Sequence, residues 1–353
     1  MNRTLFDNLT SAAFEIPGGN STNVASSFRE IKLTLYVIIF LISAVGNSLV
    51  CIVILRRRRM KTVTNYFVLN LAIADLALTC ICIPFDIPVQ EMNYVWPYGG
   101  FMCKILYPLQ TLSLFASVFT LTAVSLTRYW AIVHPLRQQL SVSNSKRIIV
   151  AIWVISIIPV SPYSYVLSHE DGSLSCEENW GDTSMRKVYT AVLFMFQYVL
   201  PLTVIAGAYI GIGIELRKRQ TRDRSGGLRD VHAEETRKVL RMLKVVTVVF
   251  AVFVLPTNIM WLWLDFGHAE QEYDRFWDLV AFCNIVTFAN SAANPICYTV
   301  LNETYRKEFK SYLVRSYTRT GREFSSMKAK FSQTSANFTQ LKSNRTQTVS
   351  SAV

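Results

Sequence analysis

Residues 33–61 read LTLYVIIFLISAVGNSLVCIVILRRRRMK, twenty-three positions without a charge followed by five bases in six. A bilayer core of ~30 Å needs about 20 mostly apolar residues to be crossed as a helix. The pattern recurs. Residues 105–127, 148–168, 188–214, 245–264 and 279–301 carry no charge, and residues 62–85 carry only Asp75. One such run would suit a buried helix of a soluble protein. Seven in one chain predict an all-α membrane protein, a seven-transmembrane helix bundle, because backbone groups in lipid must be satisfied within their own segment. Composition agrees: 51% of the 353 residues are hydrophobic and only 17% charged, against about 25% in soluble proteins. It excludes a disordered or collagen-like chain, and seven cysteines are too few for a disulfide scaffold.

The net charge of +12 is unevenly placed. The tail and the loops after spans one, three and five hold 29 Lys/Arg, and the other loops and amino terminus hold 7. Basic loops stay in the cytoplasm, which predicts an extracellular N-terminus and a cytoplasmic C-terminus in a multi-pass protein of the plasma membrane. Acids divide the other way, 15 outside and 8 inside, leaving −8 on the outer face and +21 on the inner. The basic excess faces the inner leaflet; no nucleic-acid partner is implied. The organisation expected is an extracellular glycosylated N-terminus at 1–32, the bundle at 33–301, a short cytoplasmic amphipathic eighth helix at 302–313 and a disordered cytoplasmic tail at 314–353. Residues 1–30 are too polar for a cleavable signal peptide, and their sequons at Asn2, Asn8 and Asn20 are expected to be glycosylated.

Polar groups inside a span are costly and by default functional. Asn47, Asp75, Ser117, Asn290, Ser291 and Asn294 lie on spans one, two, three and seven. If the bundle packs those spans together, a carboxylate among oxygen donors could hold Na⁺; the other reading is a hydrogen-bonded packing network. Arg128 closes span three, where a lone arginine often snorkels to the headgroups. Pro201, Pro256 and Pro295 fall inside spans and allow bending. Only Cys103 and Cys176 lie near outer, oxidising loops, and a bridge between them would pin the second outer loop to span three.

Gly46-Asn47, Leu71-Ala72-Ile73-Ala74-Asp75, Arg128-Tyr129, Trp153, Pro201 with Tyr209, Pro256, and Asn294-Pro295-Ile296-Cys297-Tyr298 occur one per span in order. From about residue 33 to 313 the chain resembles a rhodopsin-class G-protein-coupled receptor. The resemblance implies a Cys103–Cys176 disulfide and an allosteric Na⁺ site at Asp75, Ser117 and Asn294, joined by Asn290 and Ser291; no other cofactor is expected. It implies that Arg128, Tyr129, Tyr209 and Tyr298 rearrange on activation, that Leu136 docks into a heterotrimeric G protein, and that Phe250 connects pocket and cytoplasmic cavity. Gln110 stands where amine receptors have aspartate and Phe288 where opsins have lysine, so neither subclass fits. Gln110 with Asp265 resembles the neuropeptide Y, neuropeptide FF and RFamide-type receptors, whose acid accepts an arginine near the amidated end of the peptide. The expected ligand-binding set is Gln110, Asp265, Asp86, Trp261 and Glu177. Glu91, Glu178, Glu270, Glu272 and Asp274 would add negative charge at the mouth, attracting a cationic peptide. Asp265 could instead be a solvated loop carboxylate, and Trp261 or Trp263 a lipid-interface anchor.

Two positions depart from the family. Thr127 replaces the acid beside Arg128, and Thr236 replaces the acid twenty residues before Pro256, with Glu235 adjacent. A neutral hydrogen bond at about 0.5–1.5 kcal/mol restrains an arginine less than a charged one, so measurable basal signalling is expected. Val254 replaces the tryptophan two residues before Pro256, which shifts the activation trigger toward Phe250 or Phe253. Fourteen Ser/Thr between Ser316 and Ser351 suit a receptor kinase and arrestin as further partners, and Ser351-Ala352-Val353 could enter a PDZ groove. The alternatives are a galanin- or allatostatin-like peptide receptor and a non-coupling ligand-binding scaffold. A transporter would show an internal repeat, which is not found. The four histidines are scattered outside the spans, so the chain is not expected to be an enzyme.

Overall fold

The computed structural model describes residues 21–92, 94–170, 173–222, 228–267, 269, 273, 275–314 and 318, with side chains there except at 21–28, 220–222, 228–233 and 235. Asn2, Asn8, Asn20, Glu270, Glu272, Asp274, the Glu235 side chain and the Ser/Thr-rich tail lie outside these residues.

Seven helices are long and apolar enough to cross a membrane: α1 (Arg29–Arg56), α2 (Val63–Glu91), α3 (Gly99–Val133), α4 (Val142–Val166), α5 (Thr183–Arg219), α6 (Thr236–Phe266) and α7 (Phe276–Leu301). Each covers all or nearly all of one of the apolar runs, and most extend past it. The helix of α1 already begins at Ser21, and α2 continues through Asp86 to Glu91. Hydropathy marks only the part of a helix that lipid covers, while the ends emerge where charges are solvated. Local chemistry starts several of them. Thr62 accepts from the Asn65 amide at 3.3 Å, Ser141 from Asn144 at 3.2 Å and Asp182 from Ser184 at 2.9 Å, each satisfying an orphan N–H of a first turn. Two π-turns interrupt the ladders, Leu78–Cys82 in α2 and Met195–Val199 in α5. They lie just before Pro84 and Pro201, whose missing N–H and ring crowding break the i−4 pattern.

Within the compact unit that ends at Cys297, α3 is central and packs against α2, α4, α5 and α6. Phe67, Leu71, Phe115 and Phe250 fill the interior. The apolar faces turned outward are Ile38, Leu41 and Val45 on α1, Val150, Val154 and Ile157 on α4, and Val248 and Val252 on α6. Their spacing of three or four residues makes one helical stripe each, a surface matched to lipid. Asn47, Asp75, Asn290 and Asn294 are buried instead. Between α4 and α5, β1 (Leu167–Ser168) pairs antiparallel with β2 (Glu177–Glu178), Leu167 opposite Glu178. Cys176 beside β2 is disulfide-bonded to Cys103, pinning this hairpin to the start of α3 as the sequence implied.

The unit from Tyr298 onward contains α8, helical over 303–314, one residue later than expected. Asn302 caps it through the Thr304 amide at 3.0 Å. Tyr305 and Phe309, four apart, are buried with ring centroids 6.0 Å apart, and Glu303 pairs with Lys307 on the other side at 3.5 Å.

Candidate functional site

Three levels of the bundle carry polar chemistry. At mid-depth the polar residues of α1, α2, α3, α4 and α7 meet. Asn294 Nδ2 donates to Asp75 Oδ2 at 2.8 Å, Asn47 Nδ2 to the Ser291 carbonyl at 3.0 Å and to Ser43 at 3.1 Å, and Ser43 and Thr79 share a bond of 2.6 Å. A second chain runs from Trp153 Nε1 to Asn70 at 2.8 Å and from Asn70 to Thr120 at 2.7 Å. Pro295 explains the first set, since proline has no N–H to bond the carbonyl four residues earlier. That carbonyl is Ser291's, and Asn47 supplies the missing donor. Gly46 makes it reachable, because a Cβ there would stand 2.6 Å from the Pro295 ring. Ser117 is buried on α3. The carbonyl oxygens of the Asn47, Asn290 and Asn294 side chains are buried with no hydrogen-bond partner among the described residues.

At the disulfide end, Gln110 is half-buried on α3 while Asp86 on α2 and Asp265 on α6 are buried. Asp265 is therefore no solvated loop carboxylate. Its Oδ1 lies 2.6 Å from Arg186 Nε, and its Oδ2 accepts from Thr190. Asp86 accepts from Gln90 at 2.7 Å and Tyr36 at 3.4 Å. Other acids expected at the mouth are engaged elsewhere: Glu91 with Lys32 at 2.7 Å and with Arg29, and Glu178 with the Trp180 indole at 2.6 Å. Glu177 is exposed on β2. Trp261 stays exposed, whereas Trp263 packs against Phe276 and Tyr273 with centroids 6.3 and 6.5 Å away. Burial, then the charge of Asp86, raises the Tyr94 and Tyr98 phenols. They remain donors, to the Trp277 and Phe85 carbonyls, both at 3.1 Å.

At the opposite end Arg128 donates to Thr64 on α2, and among the described residues no carboxylate pairs with it. Thr127 donates to the Ala123 carbonyl of its own helix at 2.7 Å, so it does not hold Arg128 at all, even by the neutral bond its chemistry allows. The ends of α3 and α5 are joined by Arg219 donating to the Ile132 carbonyl. They are also packed where a Cβ on Gly211 would lie 2.5 Å from the Tyr129 ring. Lys244 of α6 sits 5.6 Å from the Tyr209 ring centroid. Leu136, in the turn after α3, is fully exposed. Phe250 and Val254 are buried below Pro256. The Thr257 hydroxyl ties α6 to Thr287 of α7 at 2.6 Å, and Tyr198 of α5 reaches the Ala251 carbonyl at 2.9 Å.

Arg186, Thr190, Thr64 and Arg219 were not among the residues expected. Arg186 and Thr190 did leave a signal, being four apart and so on one helix face; nothing along the chain assigned them to Asp265.

The chain matches the family described as 7 transmembrane receptor (rhodopsin family) over residues 46–298. It is 34% identical to neuropeptide FF receptor 1 of Rattus norvegicus over 322 residues, 86% of this chain and 73% of that one. Against the QRFP-like peptide receptor of Branchiostoma floridae the identity is 31%, covering 81% and 78%. Against galanin receptor type 1 of Rattus norvegicus it is 35%, covering 79% and 81%.

Proposed function

We propose, from the premise that the chain belongs to the rhodopsin family of seven-transmembrane receptors, that it binds an extracellular amidated peptide through an arginine next to its aromatic end and activates a heterotrimeric G protein. As a family member it is a multi-pass protein of the plasma membrane and not an enzyme. The disulfide end faces outward, as the basic loops at the other end favour.

One observation carries the ligand reading: Asp265, a buried carboxylate at the disulfide end of α6, lies in a setting that accepts a guanidinium. A guanidinium–carboxylate contact there is charge-assisted and planar. Gln110 and Asp86 line the same end, and the names of two relatives at 34% and 31% identity specify peptides. Arg128, Tyr129, Tyr209, Phe250, Pro256, Pro295 and Tyr298 carry the conformational change, and the exposed Leu136 enters the G protein. Ligand and G protein both favour the open inner face and so shift one equilibrium from two sides. Receptor kinase and arrestin act on the tail.

Asp75, with Ser117, Asn290, Ser291 and Asn294, would hold Na⁺. The residues fit by chemistry, since the one carboxylate among them, Asp75, is buried and bonded to Asn294, and the Asn290 and Asn294 amide carbonyls are buried with no hydrogen-bond partner among the described residues. Oxygen donors with one charge suit a hard cation. When bound, it offsets the charge of Asp75 and favours the resting packing of α2 against α7.

The test is G-protein activation in cells expressing the chain, against peptides ending in Arg-Phe-amide, the same peptides with citrulline for arginine, and galanin-type peptides. Arginine peptides activate, and Asp265→Ala shifts their potency by at least about tenfold, since removing one partner of a buried charge pair costs ~2–5 kcal/mol. A response to galanin-type peptides alone, unaffected by Asp265→Ala, assigns the chain to that branch instead.

A further inference from the structure

The carboxylate that would take the peptide's arginine already holds one from the receptor itself. Arg186 Nε lies 2.6 Å from one oxygen of Asp265, and the Thr190 hydroxyl donates to the other. Arg186 and Thr190 stand one turn apart on α5, so a single helix face presents a guanidinium and a hydroxyl together. The Asp265 side chain is 4% exposed and that of Arg186 41%. The acid is therefore the hidden member of the pair, and an arriving ligand meets Arg186 before it can reach Asp265.

We propose that Arg186 is a specificity-determining residue that stands in for the ligand's guanidinium, holding Asp265 until a guanidinium of the peptide exchanges with it. The proposal rests on Asp265 being the peptide's anchor. The physical reason is the cost of a buried carboxylate without a partner. Arg186 removes that cost in the ligand-free receptor, so a ligand arginine gains less than it would from an unpartnered carboxylate. An incoming guanidinium can reproduce the N–H contact that Arg186 Nε makes with one carboxylate oxygen, and its planar fork can carry a second. A lysine ammonium is a compact point charge without such a fork, and it is more strongly hydrated. Exchange thus favours arginine over lysine by more than charge alone would. It also removes one of the two contacts through which Asp265 joins α5 to α6, the other being the Thr190 hydroxyl.

Two arms test this. In the first, the purified full-length receptor is melted in detergent with and without millimolar N-acetyl-arginine amide, with N-acetyl-lysine amide as control. The arginine probe raises the melting temperature of Arg186→Gln and leaves wild type and Arg186→Gln/Asp265→Asn unmoved. Equal shifts in wild type and Arg186→Gln, or none in Arg186→Gln, overturn the proposal. If Arg186→Gln does not fold, Arg186→Lys replaces it, with the same outcomes deciding. This arm needs no peptide agonist and stands even if the receptor ignores Arg-Phe-amide peptides, which would sink the ligand reading alone. In the second arm, Arg186→Gln raises the potency of an Arg-Phe-amide peptide about tenfold, within the range of coupling between sites, and narrows its advantage over the Lys-Phe-amide analogue. A lower potency in Arg186→Gln would make Arg186 an attractor of the ligand and overturn the exchange.

Discussion

At the scale of single residues, the family's restraint on Arg128 is absent in two ways. No acid stands at position 127, and the threonine there turns its hydroxyl to the Ala123 carbonyl at 2.7 Å. Among the described residues, Arg128 has only the neutral hydroxyl of Thr64 to donate to. A charged partner adds ~1.5–3 kcal/mol where a neutral one adds about 1. Introducing one by Thr127→Asp should lower basal G-protein signalling about tenfold at matched surface expression. Unchanged basal signalling would show that the resting state is held elsewhere, for instance by Arg219 on the Ile132 carbonyl. Arg128 and Thr127 were legible in the sequence as a motif and a departure from it. Thr64, sixty-four positions earlier, was not, because which hydroxyl an arginine finds depends on how α2 is rotated against α3.

Between elements, α1 and α7 fit each other through complementary defects. Pro295 leaves the Ser291 carbonyl without a donor, Asn47 provides one at 3.0 Å, and Gly46 removes the side chain that would keep the helices apart. Gly46→Ala places a methyl 2.6 Å from a Pro295 ring carbon, and overpacking of this kind costs about 1–3 kcal/mol. The expected outcome is a lower melting temperature and reduced surface expression. Gly213→Ala is the control, as a Cβ there meets nothing within 4 Å and alanine favours helix by ~1 kcal/mol. If the two variants melt alike, the close crossing is not what Gly46 serves. The sequence showed Gly46-Asn47 and Asn294-Pro295 as separate motifs; that each answers a need of the other required the crossing itself.

For the whole molecule, charge separation is the controlling feature. The side that holds the disulfide carries −8 by composition and the opposite side +21. A cationic peptide should be steered to the mouth, and steering acts on association by about 10-fold or more. Raising ionic strength from about 0.01 to 0.5 M shortens the screening length from ~30 Å to under 10 Å. Association of an Arg-Phe-amide probe should slow accordingly while dissociation changes little. An association rate that stays flat across this range would mean the contacts at Asp265, and not the field, govern capture. Several of the acids counted in that field are already paired, Glu91 with Lys32 and Asp265 with Arg186. A charge count along the chain could not show this, since it does not register which cations fold back onto which acids.

The sequence by itself determined the number of spans, their order and the side on which the bases collect. These are local properties, summed over about twenty consecutive residues by a solvent that responds to hydropathy and charge alone. Only the tertiary structure decided that Asn294 meets Asp75, that Trp153 meets Asn70, that Thr127 ignores Arg128 and that Arg186 occupies Asp265. Those pairings depend on the rotation and depth of each helix, which packing against its neighbours sets; the pattern along one helix specifies a face but not the residue that will oppose it.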